Sequence, residues 1–138
     1  MVEFKLKDPM IVSSRIKGLN GRIRELNTIL DFNWHYSYLM KMDALELGYS
    51  SASYRPQEYT SVKPHEVSTV MGMRGIELCT LIKLNEVSIG DVKATDVEAI
   101  VYHIETPTIL PVDVILGQNF LKKFKVTIDS ASGNLLLT

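Results

Sequence analysis

An all-β domain, built as a barrel or a sandwich with one or two short helices, is what this sequence predicts. Three observations carry that expectation. Short segments of alternating or β-branched apolar residues recur at close spacing, separated by Asn-Gly, Pro and Ser-Gly turn signals. Only one stretch has a clear helical period. Strands do not alternate with long helices, as a βαβ fold requires. The 138 residues have the size of a single domain, 1–138, and no solenoid repeat, low-complexity tract or linker divides them.

Taken in order, Val2 to Leu6 alternates apolar and polar residues as a half-buried strand does, and Pro9 ends it. Ile11 to Leu19 and Arg22 to Leu30 flank Asn20-Gly21, which predicts a hairpin with a type I′ turn. The second arm ends Thr28-Ile29-Leu30-Asp31, carrying an acid to the end of an apolar strand. Tyr38 to Leu47 is the helix candidate, with Leu39, Met42 and Leu45 at helical spacing and Gly48 as its stop. Tyr49 to Pro64, rich in Ser, Tyr and Pro, reads as loop. Strands are expected over Val67 to Met73, Gly75 to Leu84, Glu86 to Gly90 and Ala94 to Ile104, the first two around a Gly-containing turn. Thr106 to Pro111 reads as loop, Val112 to Leu116 as a short strand and Gln118 to Phe124 as a short helix. Val126 to Asp129 and Leu135 to Leu137 form a closing hairpin around Ser130-Ala131-Ser132-Gly133.

Composition excludes several classes of function. A formal net charge of −1 and the absence of any block of like charges give no footprint for nucleic acid. No apolar run approaches the ~18 residues of a membrane span, and Met1 to Asp8 lacks the apolar core of a signal peptide. Cys79 is the single cysteine, so no internal disulfide is possible, and it reads as a small buried hydrophobe. A soluble, cytoplasmic protein is expected. His35, His65 and His103 have no metal-ligand spacing. No phosphate loop or Gly-x-Ser-x-Gly elbow occurs, and neither metal nor cofactor is expected.

Two features stand apart: Asp31 at a strand end and the segment Ile115-Leu116-Gly117-Gln118-Asn119-Phe120-Leu121. The latter closely resembles the Ile-Leu/Ile-Gly-x-Asn/Asp-apolar-Leu segment of retroviral-type (retropepsin-like) aspartic peptidases. Its continuation to Asp129 is similar to the end of the cellular and transposon-derived members. Ser37-Tyr38-Leu39 with Ala44, Leu45, Leu47 and Gly48 resembles the segment after the family's catalytic loop, and Val87 to Val92 the strand pair beyond its flap. The resemblance runs from about Ile11 to the C-terminus. It implies a closed β-barrel-like subunit that works as a homodimer on peptide or unfolded protein, with Asp31 of each subunit as the catalytic pair. It also implies a substrate cleft formed by Phe32, Asn33 and Trp34 and by a flap carrying Gly72, Met73 and Gly75.

The active position departs from the family, which has Asp-Thr/Ser-Gly-Ala/Ser where this chain has Asp31-Phe32-Asn33-Trp34. Phe32 lacks the hydroxyl that locks the two loops of the family dimer. Asn33 replaces a glycine and tolerates positive φ better than most residues. Trp34 replaces a small residue and must find space for its indole. Two functions therefore stand side by side: an aspartic endopeptidase, and a catalytically inactive dimer of the same fold that binds peptides or acts as a scaffold. The resemblance also carries two structural expectations. Ile29, Leu30, Ile115, Leu116 and Phe120 are expected to be buried together, and the strands Val2 to Leu6 and Leu135 to Leu137 to present open edges that pair between subunits.

Overall fold

The computed structural model describes residues 1–49, 80–102 and 112–138. The expected strand 67–73, the loop 49–64 beyond Tyr49, the loop 106–111, and Gly72, Met73, Gly75, Cys79, His65 and His103 lie outside the described residues. Nine strands and two short helices are described. In chain order they are β1 (Val2–Lys5), β2 (Ile11–Lys17), β3 (Ile23–Leu30), β4 (Ser37–Met40), α1 (Lys41–Glu46), β5 (Thr80–Ile89), β6 (Val92–Tyr102), β7 (Val114–Leu116), α2 (Gln118–Leu121), β8 (Val126–Asp129) and β9 (Asn134–Leu137). Six strands close into a barrel in the order β2-β3-β7-β4-β6-β5, and β1-β9-β8 form a separate three-stranded sheet.

The barrel interior follows from period-2 alternation. Val12, Ser14 and Ile16 of β2 and Leu26, Thr28 and Leu30 of β3 are buried, while Ser13, Arg15, Glu25 and Asn27 between them are exposed. Ser14 and Thr28 satisfy each other inside the barrel through a 2.5 Å hydroxyl pair. In β5 and β6 the alternation changes phase. Ile82, Leu84, Val97 and Ala99 join the core at one end, and Val87, Ile89, Val92 and Ala94 at the other. The change falls at Asn85 and Asp96, where Asp96 takes a φ of 53°. Both strands kink there together, so pairing keeps its register from Leu81↔Ile100 to Ile89↔Val92. Over the described residues, one continuous strand, Thr80–Ile89, runs through the break expected between Leu84 and Glu86, while residues 75–79 of the first expected strand lie outside the described residues.

Two local expectations are corrected. The Asn20-Gly21 turn is not type I′. Gly18 N–H donates to Arg22 O at 2.9 Å, which leaves a three-residue loop with only Gly21 at positive φ (81°). Asn20 instead caps the loop, its side-chain oxygen accepting from Arg22 N–H. The helix predicted over Tyr38 to Leu47 starts only at Lys41, because Ser37 to Met40 are drawn into the barrel, parallel to β6 and antiparallel to β7. The apolar residues of 38–40 fit either period, and long-range pairing decided between them. Gly48 does stop the helix. At φ 89° its N–H donates to Leu45 O, while Tyr49 N–H donates to Ala44 O, a Schellman ending.

The terminal sheet also differs from expectation. β9 is its middle strand, paired with β1 and β8 of the same chain, so the open edges are β1 and β8. Leu135 and Leu137 point into the core while Leu136 is half-buried, and this fixes β9 against the barrel. Among the described residues no helix is long and apolar enough to cross a membrane.

Candidate functional site

Strand order builds the site. β7 lies between β3 and β4, parallel to β3 and antiparallel to β4. The connection from β3 to β4, residues 31–36, must therefore pass over the C-terminal end of β7. It is fastened there by main-chain bonds. Asp31 N–H extends the parallel ladder to Leu116 O at 3.0 Å, Gln118 N–H donates to Trp34 O at 2.7 Å, and Asn119 N–H to His35 O at 3.0 Å. The Gln118 side-chain amide adds a 2.6 Å bond to Phe32 O. Loop carbonyls thus satisfy the first N–H groups of α2, which otherwise lack partners.

Gly117 is required by this crossing. A Cβ there would meet Tyr36 O at 2.2 Å and Trp34 O at 2.6 Å. Beneath it, the buried Ser37 hydroxyl accepts from Gly117 N–H at 3.1 Å and donates to Asn119 Oδ1 at 2.7 Å. Asn119 Nδ2 in turn donates to Glu98 O at 2.7 Å. A chain of hydrogen bonds therefore ties the loop to β4, β6 and β7.

Leu30 and Leu116 point into the barrel core, so alternation puts Ile29, Asp31 and Ile115 on its outer face. The Asp31 carboxylate is half-buried at the rim, and its Oδ1 accepts from Asn33 N–H at 2.9 Å. Asn33 makes this turn without positive φ; among the described residues only Asp96 has that conformation without being glycine. Phe32 turns inward and packs against the core cluster. Trp34 turns outward, its ring edge-on to Tyr38 with centroids 5.1 Å apart. His35 is exposed and stands against Tyr36.

Beside Asp31 the outer face carries an apolar row. Ile29 pairs with Ile115, Ile115 with Tyr38, Tyr38 with Ile100 and Ile100 with Leu81, across five neighbouring strands. This row divides the expected apolar cluster. Leu30, Leu116 and Phe120 are core residues, whereas Ile29 and the half-buried Ile115 lie on the other side of the sheet.

A second set of charges sits at the opposite end of β7. Asp43 of α1 is buried, and its Oδ1 accepts from Arg24 Nη1 at 2.8 Å; Arg24 also bridges to Glu46. Burial raises the Asp43 carboxyl to about 6, reinforced by the neighbouring Asp113 charge and opposed by Arg24. Burial likewise raises the Tyr49 phenol, which donates to Lys83 O at 2.9 Å. No group of three His, Cys, Asp or Glu side chains among the described residues is placed to hold a metal ion.

The fold is similar to that of solved structures. A retropepsin-like aspartic protease from Rickettsia conorii superposes with a TM-score of 0.61 at 20% identity, covering 99% of this chain and 90% of that one. The fold is retropepsin-like. The retroviral protease-like domain of Ddi1 from Leishmania major aligns over 93% of this chain and 86% of its own, with a TM-score of 0.49 and 15% identity. No family model matches the sequence, and no curated protein matches it.

Within this retropepsin-like fold, Asp31, Asn33 and Trp34 come together at the crossing over Gly117, with Phe32 beside them but directed to the core. Gly72, Met73 and Gly75 lie outside the described residues. Sequence reading missed Ser37, Asn119 and Gln118 as the residues that hold the loop, and the outer row of Ile29, Tyr38 and Ile115. Ser37 carried a faint signal, as a small polar residue at the head of an apolar run.

Proposed function

We propose that this chain is one half of a homodimeric aspartic endopeptidase that hydrolyses peptide bonds in peptides or unfolded proteins. The observation that carries the reading is the Asp31 carboxylate, held at the outer rim beside an apolar row by a loop whose backbone is bonded along its length. Each chain supplies one such carboxylate, and the chemistry needs two. A twofold axis through the crossing loops brings Asp31 against its symmetry mate. Two carboxyl groups about 3 Å apart cannot both ionise, so one is acid and one is base. The base takes a proton from water, whose oxygen attacks the amide carbon, and the acid gives its proton to the carbonyl oxygen. Collapse of the resulting diol expels the amine as that nitrogen takes up a proton. Asn33 N–H bonded to Oδ1 holds the carboxyl plane for this exchange.

A second reading has its own support. Phe32 brings no hydroxyl to the loop and Trp34 stands on Tyr38, as in a dimer that binds peptide without cutting it. One assay separates the two. Wild type, Asp31→Asn and the triple variant Phe32→Thr/Asn33→Gly/Trp34→Ala are incubated with a denatured protein from about pH 3 to 8, the span over which such a pair titrates. The endopeptidase reading expects acid-optimal turnover by wild type and none by Asp31→Asn. Equal turnover by both would remove Asp31 from the chemistry. No wild-type turnover at any pH, with turnover by the triple variant, would establish the binding reading.

A further inference from the structure

The Asn20-Gly21 turn is built against the end of α1. Asn20 N–H donates to Leu47 O at 3.3 Å, and Asn20 Nδ2 donates to Glu46 O at 3.1 Å. Asn20 Oδ1 accepts from Arg22 N–H at 3.0 Å, and Gly21 N–H donates to Gly18 O at 3.1 Å. Two glycines permit so close an approach. A Cβ on Gly18 would meet Leu47 O at 2.3 Å, and a Cβ on Gly48 would stand 3.0 Å from Asn20 Cγ. Gly48 therefore covers the amide carbon of Asn20, whereas a Cβ on the exposed Gly21 would meet nothing within 4 Å.

Asn20 is the one asparagine of the chain followed by glycine, the neighbour whose missing Cβ hinders least an attack by its own nitrogen. In that attack solvent hydroxide takes the Gly21 amide proton, and the nitrogen bonds to Asn20 Cγ. The Cγ–Nδ2 bond breaks, and ammonia leaves with a proton supplied by water. A second water opens the succinimide ring at either carbonyl, giving aspartate or isoaspartate. The docked loop blocks this step. Gly18 O holds the Gly21 proton, Glu46 O and Arg22 N–H hold the Asn20 amide, and Gly48 lies on Cγ. Reaction requires the loop to leave α1.

We propose that Asn20 is a deamidation site gated by α1, protected while the loop is docked and converted once it opens, and that conversion keeps loop and helix apart. A carboxylate only accepts hydrogen bonds, so the product loses its bond to Glu46 O and sets a negative charge against the carbonyl oxygens of Glu46 and Leu47. Leu47 and Tyr49 at this end belong to the core, so release loosens the barrel where α1 closes it. The inference is independent of the peptidase reading.

The test incubates the full-length protein at mildly alkaline pH, folded and in denaturing urea. Peptide mass spectrometry follows Asn20, with Asn27, Asn85 and Asn134 of the same chain as internal controls. Asn20 should convert ahead of those controls in the unfolded chain. In the folded protein it should convert at least about tenfold more slowly, the protection its hydrogen bonds supply. Leu45→Gly weakens α1 at an exposed position and should speed conversion in the folded protein about fivefold, the scale of glycine's poor helix propensity, while Leu45→Ala should not. Hydrogen exchange over residues 18–22 and 45–49 should be about fivefold faster in the aged protein and in Asn20→Asp, the effect of one lost hydrogen bond.

Equal rates in folded and unfolded protein, or in Leu45→Gly and Leu45→Ala, would overturn the gate. If Leu45→Gly does not fold, urea below the unfolding transition of the wild type replaces it. Conversion that rises there supports the gate, and conversion that rises only with global unfolding overturns it. Unchanged exchange in the aged protein and in Asn20→Asp would overturn the lasting separation. No conversion of Asn20 in the unfolded chain would overturn the site itself.

Discussion

Replacing Asp43 by Asn should remove a pH dependence of stability from this protein and make it more stable at neutral pH. The side chain is 10% exposed, accepts from Arg24 and faces Asp113 and Glu46. Its folded-state value of about 6 lies above the ordinary 3.8, with burial as the largest cause and Asp113 next. The native state therefore holds a proton between about pH 4 and 6 that the unfolded chain has released. Stability from this group is full below the unfolded value and is lost as pH rises through the folded one. A shift from 3.8 to about 6 corresponds to about 3 kcal/mol lost between acid and neutral pH.

Asparagine keeps the shape, accepts from Arg24 and can donate to Asp113, but carries no charge at any pH. The attraction of the 36% exposed Arg24 for the charged carboxylate is already contained in the net value of about 6, so its loss in the variant needs no separate correction. The variant should thus match wild type near pH 4 and exceed it by about 3 kcal/mol at pH 7. Denaturant unfolding at several pH values and one fixed protein concentration gives the difference curve, which cancels any contribution of an Asp31 pair. Parallel pH profiles for the two proteins, or a less stable variant at pH 7, would refute the reasoning.

Further substitutions test the frame. Leu116→Ala, at a fully buried position between β3 and β4, should cost about 2–5 kcal/mol in the same unfolding assay. Ser37→Ala strands both Gly117 N–H and one side of Asn119, and should cost about 1–3 kcal/mol. Gly117→Ala forces a Cβ into Tyr36 O and Trp34 O, so the loop must lift from α2. That variant should lose any turnover or peptide capture, and an unchanged Trp34 emission spectrum would argue against it.

Much of the architecture was legible because strands such as β2 and β9 bury alternate residues. The alternation of Val12, Ser14 and Ile16 and the β8–β9 hairpin follow directly from local pattern. Other features depend on partners far away in sequence. Tyr38 to Met40 became strand because β6 and β7 flank them, and nothing local separates that outcome from a helix. The phase change at Asn85 and Asp96 hides in an unbroken strand. Ile29 and Leu30 look alike in sequence, yet one faces the outer row and the other the core. At the site, the resemblance pointed to Asp31 and the Ile-Leu-Gly segment. The hydrogen bonds from Gln118, Ser37 and Asn119 needed three dimensions, since they join residues some 80 positions apart.

The central claim is that two copies of Asp31 face each other across a twofold axis, and a crystal structure of the protein, taken from a solution in which its dimer is established, tests it most directly. The account predicts the two Asp31 carboxylates about 3 Å apart, close enough to share a proton. A monomer, or a dimer holding them more than about 6 Å apart, outside the range over which one carboxylate shifts the other, would contradict it.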